Sequence, residues 1–456
     1  MTRPSGPSSA QHSAIRDLFS SLVRRLFTTS SLLSLARVAG AGAGFVTQVV
    51  LARTLHAPAL GVFYSVTSLA AVVGLIAAHG YPAIAPRFLS RYRAQGKDGL
   101  IAAFVAQARK DATILVVIAT VGVLALALLW PSFVWEVRLA LIAAALSIPA
   151  NAALRLNGTL AMAVRRFALA YLPDTCIRPF VLLAGVLALI AVGVTLTVSN
   201  VTLLLTVVFT GLALAQYFLL RKSLPKAEAA PEEEPSKLAT IWRREAKPLI
   251  LVALFTYFFA DVDILIVTPL LSSANTAIVG VCLKLALLVG FAVQIAHQVV
   301  VPDLADAHAR KDHSAIRGVA LKALAFPLVV TIVALIVVAI WGEPVLSLFG
   351  SEFTGAKIPL LILLACQLAR VLFGPNVPLL TVIGAQKQNA LLAVSALIVL
   401  VIANVLLAPA YGVLGAAIAV AIATVFWLFS CSIVLARISG LRTDAVYLLG
   451  PRPSPV

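Results

Sequence analysis

Charge is scarce in this chain, and acidic charge is scarcer still. Only 12% of the 456 residues are charged, with 18 Asp and Glu against 35 Lys and Arg, and the mean hydropathy is +1.04. This composition excludes an ordinary soluble domain, in which about 25% of residues are charged. Apolar runs longer than about 18 residues recur along the chain, whereas a transmembrane β-barrel would show short segments of alternating polarity. We therefore predict an all-α polytopic membrane protein.

Metal-binding and nucleotide-binding patterns are also missing. The four cysteines lie far apart inside apolar segments, and the six histidines have no metal-ligand spacing, which argues against a disulfide framework or a metal site. The sequence contains no GxxxxGK[ST] stretch, so the chain is not by itself an ATP-driven pump. It also contains no Ser/His/Asp set on a loop large enough to build a catalytic site. We predict a protein that is not an enzyme and uses no cofactor.

Twelve apolar segments are long enough to cross a bilayer, because about 20 helical residues span its hydrocarbon core. The predicted spans are 33–54, 59–84, 111–131, 136–158, 169–193, 199–221, 248–271, 276–301, 322–342, 357–382, 388–408 and 411–437. With a cytoplasmic N-terminus, 28 of the 35 Lys and Arg residues fall inside, and only Arg53, Arg138 and Lys357 fall outside. This bias follows the positive-inside rule and favours two cytoplasmic termini. The net charge of +17 then reflects topology rather than nucleic-acid binding.

The longest polar break divides the predicted spans into six and six. Residues 222–247 are rich in Pro and Glu, which is typical of a flexible linker. The predicted organisation is a cytoplasmic tail at 1–32, an N-lobe at 33–221, a linker at 222–247, a C-lobe at 248–437 and a cytoplasmic tail at 438–456. The sequence from Leu60 parallels the sequence from Val279, since both run from a Gly through one span to a Pro and a polar segment. This parallel favours two lobes of the same orientation.

The stretch ARVAGAGAGFVTQVVLARTLHAPALGVFYSV resembles the opening of the Wzx-type polysaccharide transporter family. The likeness depends on three features, Ala52-Arg53, Ala59-Leu60-Gly61 and Phe63-Tyr64. The later stretches DVDILIVTPLLSSANTAIVGVC and WGEPVLSLFGSEF resemble the same family, which belongs to the multidrug/oligosaccharidyl-lipid/polysaccharide exporter (MOP) superfamily. Two features differ from the expected pattern. Cys282 stands where the family has a Tyr, and the chain has twelve predicted spans, whereas lipid II flippases usually have fourteen.

The resemblance implies two six-helix lobes around a central cavity that opens alternately to each side of the bacterial inner membrane. It implies a flippase for an undecaprenyl-diphosphate oligosaccharide that serves cell-surface polysaccharide biosynthesis, such as O-antigen of lipopolysaccharide or exopolysaccharide. A polysaccharide polymerase is an expected partner. Two alternatives stay open: a multidrug cation antiporter of the same superfamily, and a membrane O-antigen polymerase or ligase. The last would need a sizeable periplasmic loop, and the predicted outer loops are short.

An anionic diphosphate must leave water to cross the bilayer, and embedded cations offset that cost. Four basic residues fall within predicted spans, and we predict that they bind the substrate: Arg37, Arg178, Lys284 and Arg370. They outnumber the three embedded acids, which favours an anionic substrate over a drug cation.

The three embedded acids are Asp174, Asp261 and Asp263. Asp174 is placed to pair with Arg178, four residues later on the same helix face. One of the other two acids is expected to pair with Lys284, and the other to bind H⁺ or Na⁺ and couple transport to an ion gradient. A purely structural role for this pair of acids stays open.

Several small and polar residues complete the set of candidates. Gly40 and Gly44 have the GxxxG spacing that lets helices approach closely. The polar candidates are Asn151, Arg155 and Asn157 for the cavity entrance, and Gln294, Gln367, Asn376 and Asn404 for sugar contact or interhelical hydrogen bonds.

Overall fold

The computed structural model describes residues 29–131, 133–224, 235–257, 259–310 and 312–449. All regular structure within these ranges is helical. The helices are α1 (Thr29–Ala77), α2 (Tyr81–Ala94), α3 (Asp98–Leu129), α4 (Trp135–Ala163), α5 (Phe167–Leu172), a π-helical turn (Pro173–Ile177), α6 (Arg178–Ala191), α7 (Val198–Arg221), α8 (Pro235–Tyr257), α9 (Phe259–Val267), α10 (Ser273–Ala309), α11 (His313–Ser347), a 3₁₀ turn (Ser351–Ala356), α12 (Lys357–Leu372), α13 (Asn376–Val382), α14 (Gln386–Ser439) and α15 (Ala445–Leu449).

Most of the long helices have the length and composition of membrane spans, as expected of an all-helical membrane protein. Nine helical stretches in the described part of the chain pass this test, and α8 and α9, bent by 68°, add a tenth if they form one span. The count of twelve and the division into two lobes stay predictions. Two helices are much longer than a bilayer requires, α1 with 49 residues and α14 with 54. Each contains one residue with non-helical angles, His56 (φ 58°) and Gly412 (φ 58°), close to a predicted span boundary.

The second part of the predicted linker is helical. Helix α8 begins at Pro235, so residues 235–247 belong to it. Leu238, Trp242 and Ala246 recur at helical spacing and are buried in a core cluster with residues of α2 and α3. The Glu residues that predicted a flexible segment precede Pro235 and lie outside the described residues.

Ion pairs and hydrogen bonds join α8 to α2 and α3. The Arg243 guanidinium donates from Nε and Nη2 to the Asp111 carboxylate, at 2.8 and 2.7 Å. Tyr81 Oη donates to the same carboxylate at 2.6 Å. We name this group the inner clamp: Tyr81, Asp111 and Arg243. A bidentate Arg–carboxylate pair fixes the relative orientation of the two side chains as well as their distance. The clamp therefore fixes the orientation of α8 against α2 and α3.

A second set of contacts joins the two halves at the predicted periplasmic end. Arg53 Nε donates to the Leu348 carbonyl oxygen at 2.7 Å, and the backbone N–H of Ala57 donates to Glu352 Oε1 at 2.7 Å. The largest buried apolar cluster contains residues of α1, α4, α10 and α12. We name the Arg53–Leu348 and Ala57–Glu352 bonds the outer contact. At this end the halves of the chain are closely packed.

Gly40 lets α1 approach the π-helical turn very closely. A Cβ at Gly40 would overlap the carbonyl oxygen of Thr175, and a Cβ at Gly44 would lie 4.0 Å from Pro179 Cβ. A Cβ at Gly42 would meet nothing within 4 Å. The GxxxG spacing therefore marks the face of α1 that packs on this turn and on the start of α6.

Candidate functional site

Two neighbouring cavities lie between helices of the described chain. The first has a volume of about 560 Å³ and is lined mainly by α2, α4, the π-helical turn and α8. The second has a volume of about 390 Å³ and is lined mainly by α10, α13 and α14. Val252, Thr381 and Asn389 line both cavities, so the two cavities are neighbours that share part of their walls.

Charged side chains line the first cavity. Arg155, Asp174 and Arg178 all face it. Arg178 Nη1 lies 3.0 Å from Asp174 Oδ1, which confirms the predicted pairing. Both residues are held at the π-helical turn Pro173–Ile177, a distortion that is often found at functional sites. The Arg178 guanidinium also lies 5.1 Å from the centre of the Phe209 ring, so its position is fixed from two sides.

The charges of the first cavity extend into a larger cluster between the two halves of the chain. Arg155 interacts electrostatically with Asp174, Arg178 and Asp261. Lys284 interacts electrostatically with Asp261 and Arg178. We name these five residues the charged cluster. Three cations face two acids in it, so it carries a surplus of positive charge beside the first cavity.

Two of the predicted substrate-binding cations line neither cavity. The Arg37 guanidinium lies 4.0 Å from the centre of the Tyr171 ring, and it is Tyr171 that faces the first cavity. Lys284 Nζ lies 4.8 Å from the centre of the Tyr64 ring. Both are cation–π contacts, in which an aromatic face replaces part of the lost water. Only Arg178 and Arg370 of the predicted four reach the cavities directly.

The second cavity contains a different set of groups. Arg370 lines it together with His297, Gln294 and Trp427. Among the described residues, Arg370 forms no ion pair and no Asp or Glu lines this cavity. The cavity therefore presents one uncompensated guanidinium among amide and aromatic side chains.

The two acids predicted for ion coupling lie outside the cavities and differ in their surroundings. Asp263 is fully buried, and its Oδ1 accepts a hydrogen bond from Asn404 Nδ2 at 2.8 Å. Its Oδ2 accepts none from the residues that the structure describes. Asp261 accepts a hydrogen bond from Ser68 Oγ at 2.9 Å. Neither acid lies within 4.0 Å of the Lys284 ammonium in the described chain, so the expected ion pair is not formed.

Sequence reasoning found some of the cavity residues and missed others. The predicted entrance residues Asn151 and Arg155 line the first cavity, whereas Asn157 is buried outside it. His297 and Asn389 were not predicted, because the sequence around a lone His or Asn in an apolar segment does not show which way its side chain points.

No protein-family model matches the chain, and no curated protein matches its sequence. Solved structures do match its fold. A structure of the lipid II flippase MurJ in an inward-closed conformation has a TM-score of 0.68 at 16% identity, covering 88% of this chain and 87% of MurJ. An inward-facing multidrug resistance MATE family transporter of the MOP superfamily has a TM-score of 0.61 at 14% identity, covering 91% and 97%. The MATE multidrug transporter DinF-BH in complex with R6G has a TM-score of 0.60 at 15% identity, covering 89% and 94%.

These structural matches show that the chain has the fold of MOP-superfamily transporters. The fold is shared by flippases and multidrug transporters, so the substrate must be argued from the cavities.

Proposed function

We propose that this protein is a flippase that moves a lipid-linked oligosaccharide, carried on undecaprenyl diphosphate, across the bacterial cytoplasmic membrane for cell-surface polysaccharide biosynthesis. The observation that carries the proposal is the surplus of guanidinium groups in the cavities. Arg155, Arg178 and Arg370 line them, against one carboxylate, Asp174. A diphosphate that leaves water needs cations of this kind, whereas a cationic drug would be repelled by them.

Arg178 and Arg155 are the residues that we assign to the diphosphate. Arginine offers a planar fork of donors that matches phosphate oxygens. Asp174 holds Arg178 in place before the substrate arrives, and Lys284 adds positive potential from behind the cavity wall. Arg37, stacked on Tyr171 at 4.0 Å, supports one wall of the first cavity from behind and adds to its positive potential.

Asp263 is the residue that we assign to ion coupling. A fully buried carboxylate with one oxygen lacking a partner among the described residues is costly to keep ionised. A proton or Na⁺ on Oδ2 would remove that cost, and Asn404 would hold the other oxygen in either state. Asp261, half-buried next to Ser68, belongs to the same helix and is the second candidate.

Alternating access would require the two ends of the molecule to open in turn. The outer contact joins the two halves at the predicted periplasmic end in this conformation, and the first cavity is lined by Pro82, which follows Tyr81 of the inner clamp. In the proposed cycle, the outer contact breaks when the bound substrate moves towards the periplasmic side. The proposal keeps the predicted topology of twelve spans with both termini cytoplasmic. A polysaccharide polymerase would then receive the product at the periplasmic surface.

The second candidate function is a multidrug cation antiporter, because MATE transporters share the fold. Reconstituted liposomes separate the two. A fluorescent undecaprenyl-diphosphate oligosaccharide is followed as it leaves one leaflet, with a lipophilic drug cation as a parallel substrate. The proposal predicts glycan movement that Arg178→Gln lowers strongly and Arg91→Gln, an exposed cation outside both cavities, leaves unchanged. Drug accumulation without glycan movement would refute the flippase and support the antiporter.

A further inference from the structure

The two cavities differ in whether an acidic side chain neutralises the charge of the arginine that lines them. In the first cavity, Arg178 has Asp174 at 3.0 Å. In the second cavity, Arg370 has no acidic partner among the described residues, and the lining there includes no described Asp or Glu. The other ionisable side chain in this lining is that of His297, which can only add positive charge.

A half-buried guanidinium without a counter-ion is unfavourable, because its hydration is reduced and nothing replaces it. Proteins keep such groups where a ligand supplies the missing charge. One lipid-linked diphosphate occupies one site, and the proposed function places it with Arg155 and Arg178. With the diphosphate placed there, another part of the same substrate is available to supply a negative charge to Arg370.

The remaining lining of the second cavity fits a sugar. Trp427 and Phe291 provide aromatic surface, and Gln294 and Asn389 provide amides. The buried Oδ1 of Asn389, on the boundary of the two cavities, accepts no hydrogen bond from the described residues. A few polar groups set among aromatic side chains are typical of a small-molecule site, and the exposed Gln294 amide in this lining can exchange hydrogen bonds with sugar hydroxyls.

We propose that the second cavity binds an acidic sugar of the glycan, with Arg370 paired to the carboxylate of a hexuronate. This inference rests on the proposed flippase function and adds to it the chemical class of the carried glycan. An arginine fork binds both oxygens of a carboxylate, so the contact selects a uronate over the neutral hexose of the same shape.

The test compares two synthetic undecaprenyl-diphosphate glycans that differ only in one residue, a hexuronate or the matching neutral hexose. Both are followed in liposomes with the wild-type protein and with Arg370→Gln, Arg370→Lys and Arg178→Gln. The wild type is expected to move the acidic glycan about tenfold faster or more, since a hydrogen-bonded charge pair is lost with the neutral one. Arg370→Gln is expected to bring the ratio of the two rates close to one.

The other variants separate this inference from the proposed function. Arg370→Lys, which keeps the charge, should retain a preference for the acidic glycan, and Arg178→Gln should slow both glycans without changing their ratio. Equal wild-type rates for the two glycans, or an unchanged ratio in Arg370→Gln, would overturn the acidic-sugar site while leaving the flippase intact. If the wild type moves neither glycan, the proposed function itself fails.

Discussion

Gly40 provides a test of how α1 positions the candidate site. The Gly40→Ala substitution places a Cβ where the Thr175 carbonyl oxygen lies, and backbone atoms surround it on that side. Overpacking of this kind costs about 1–3 kcal/mol of folding stability. Gly42→Ala is the matched control, because its Cβ meets nothing within 4 Å. Both changes give the helix the same benefit of about 0.5–1 kcal/mol over Gly, so the difference between the two variants measures the overpacking alone.

The assay is thermal unfolding of both variants in detergent, followed by transport in liposomes. We expect a lower unfolding midpoint for Gly40→Ala than for Gly42→Ala. We also expect slower glycan movement, because pushing the π-helical turn away displaces Arg178. Equal midpoints and equal transport would refute the packing of α1 on this turn and the argument that it positions the cation.

Three further predictions concern the inner clamp, the outer contact and the coupling acid. Arg243→Gln removes the ion pair with Asp111 and should cost about 1–2 kcal/mol of stability, since the Arg243 side chain is 43% exposed. Glu352→Ala leaves the Ala57 N–H without its acceptor, which costs about 1–3 kcal/mol, and should lower the unfolding midpoint. Asp263→Asn should make glycan movement insensitive to H⁺ and Na⁺ gradients, because the amide cannot exchange a cation.

Each of these variants has a matched control. Arg244→Gln, Glu343→Ala and Asp303→Asn change exposed side chains of the same type. If Arg244→Gln lowers the midpoint as much as Arg243→Gln, the clamp contributes nothing specific. A Glu352→Ala protein as stable as Glu343→Ala would argue against the outer contact. Gradient-dependent transport that survives in Asp263→Asn would exclude that residue as the coupling site.

The membrane architecture follows from simple features of the sequence. Long apolar runs predict helical spans, because a bilayer core offers no water to satisfy exposed backbone groups. The local pairing of Asp174 with Arg178 is also predictable, since it depends only on residues four apart.

Features that depend on tertiary packing were harder to predict. The helix over residues 235–247 is stabilised by burial of Trp242 against α2 and α3, which composition alone does not indicate. His56 and Gly412 interrupt long helices without a break in hydropathy. Lys284 and Arg37 were expected in the cavity, yet they stack on Tyr64 and Tyr171 instead. Which way an embedded side chain points is decided by neighbouring helices that the local sequence does not reveal.

The central claim is that the first cavity binds a lipid-linked diphosphate through Arg155 and Arg178. Its most direct test is equilibrium binding of a fluorescent undecaprenyl-diphosphate oligosaccharide to the purified protein in detergent, at fixed salt. We predict saturable binding that weakens about tenfold or more in Arg178→Gln, as expected for loss of a charged hydrogen-bond donor. Arg91→Gln should bind as the wild type does. Equal affinity in the wild type, Arg178→Gln and Arg155→Gln would contradict the account.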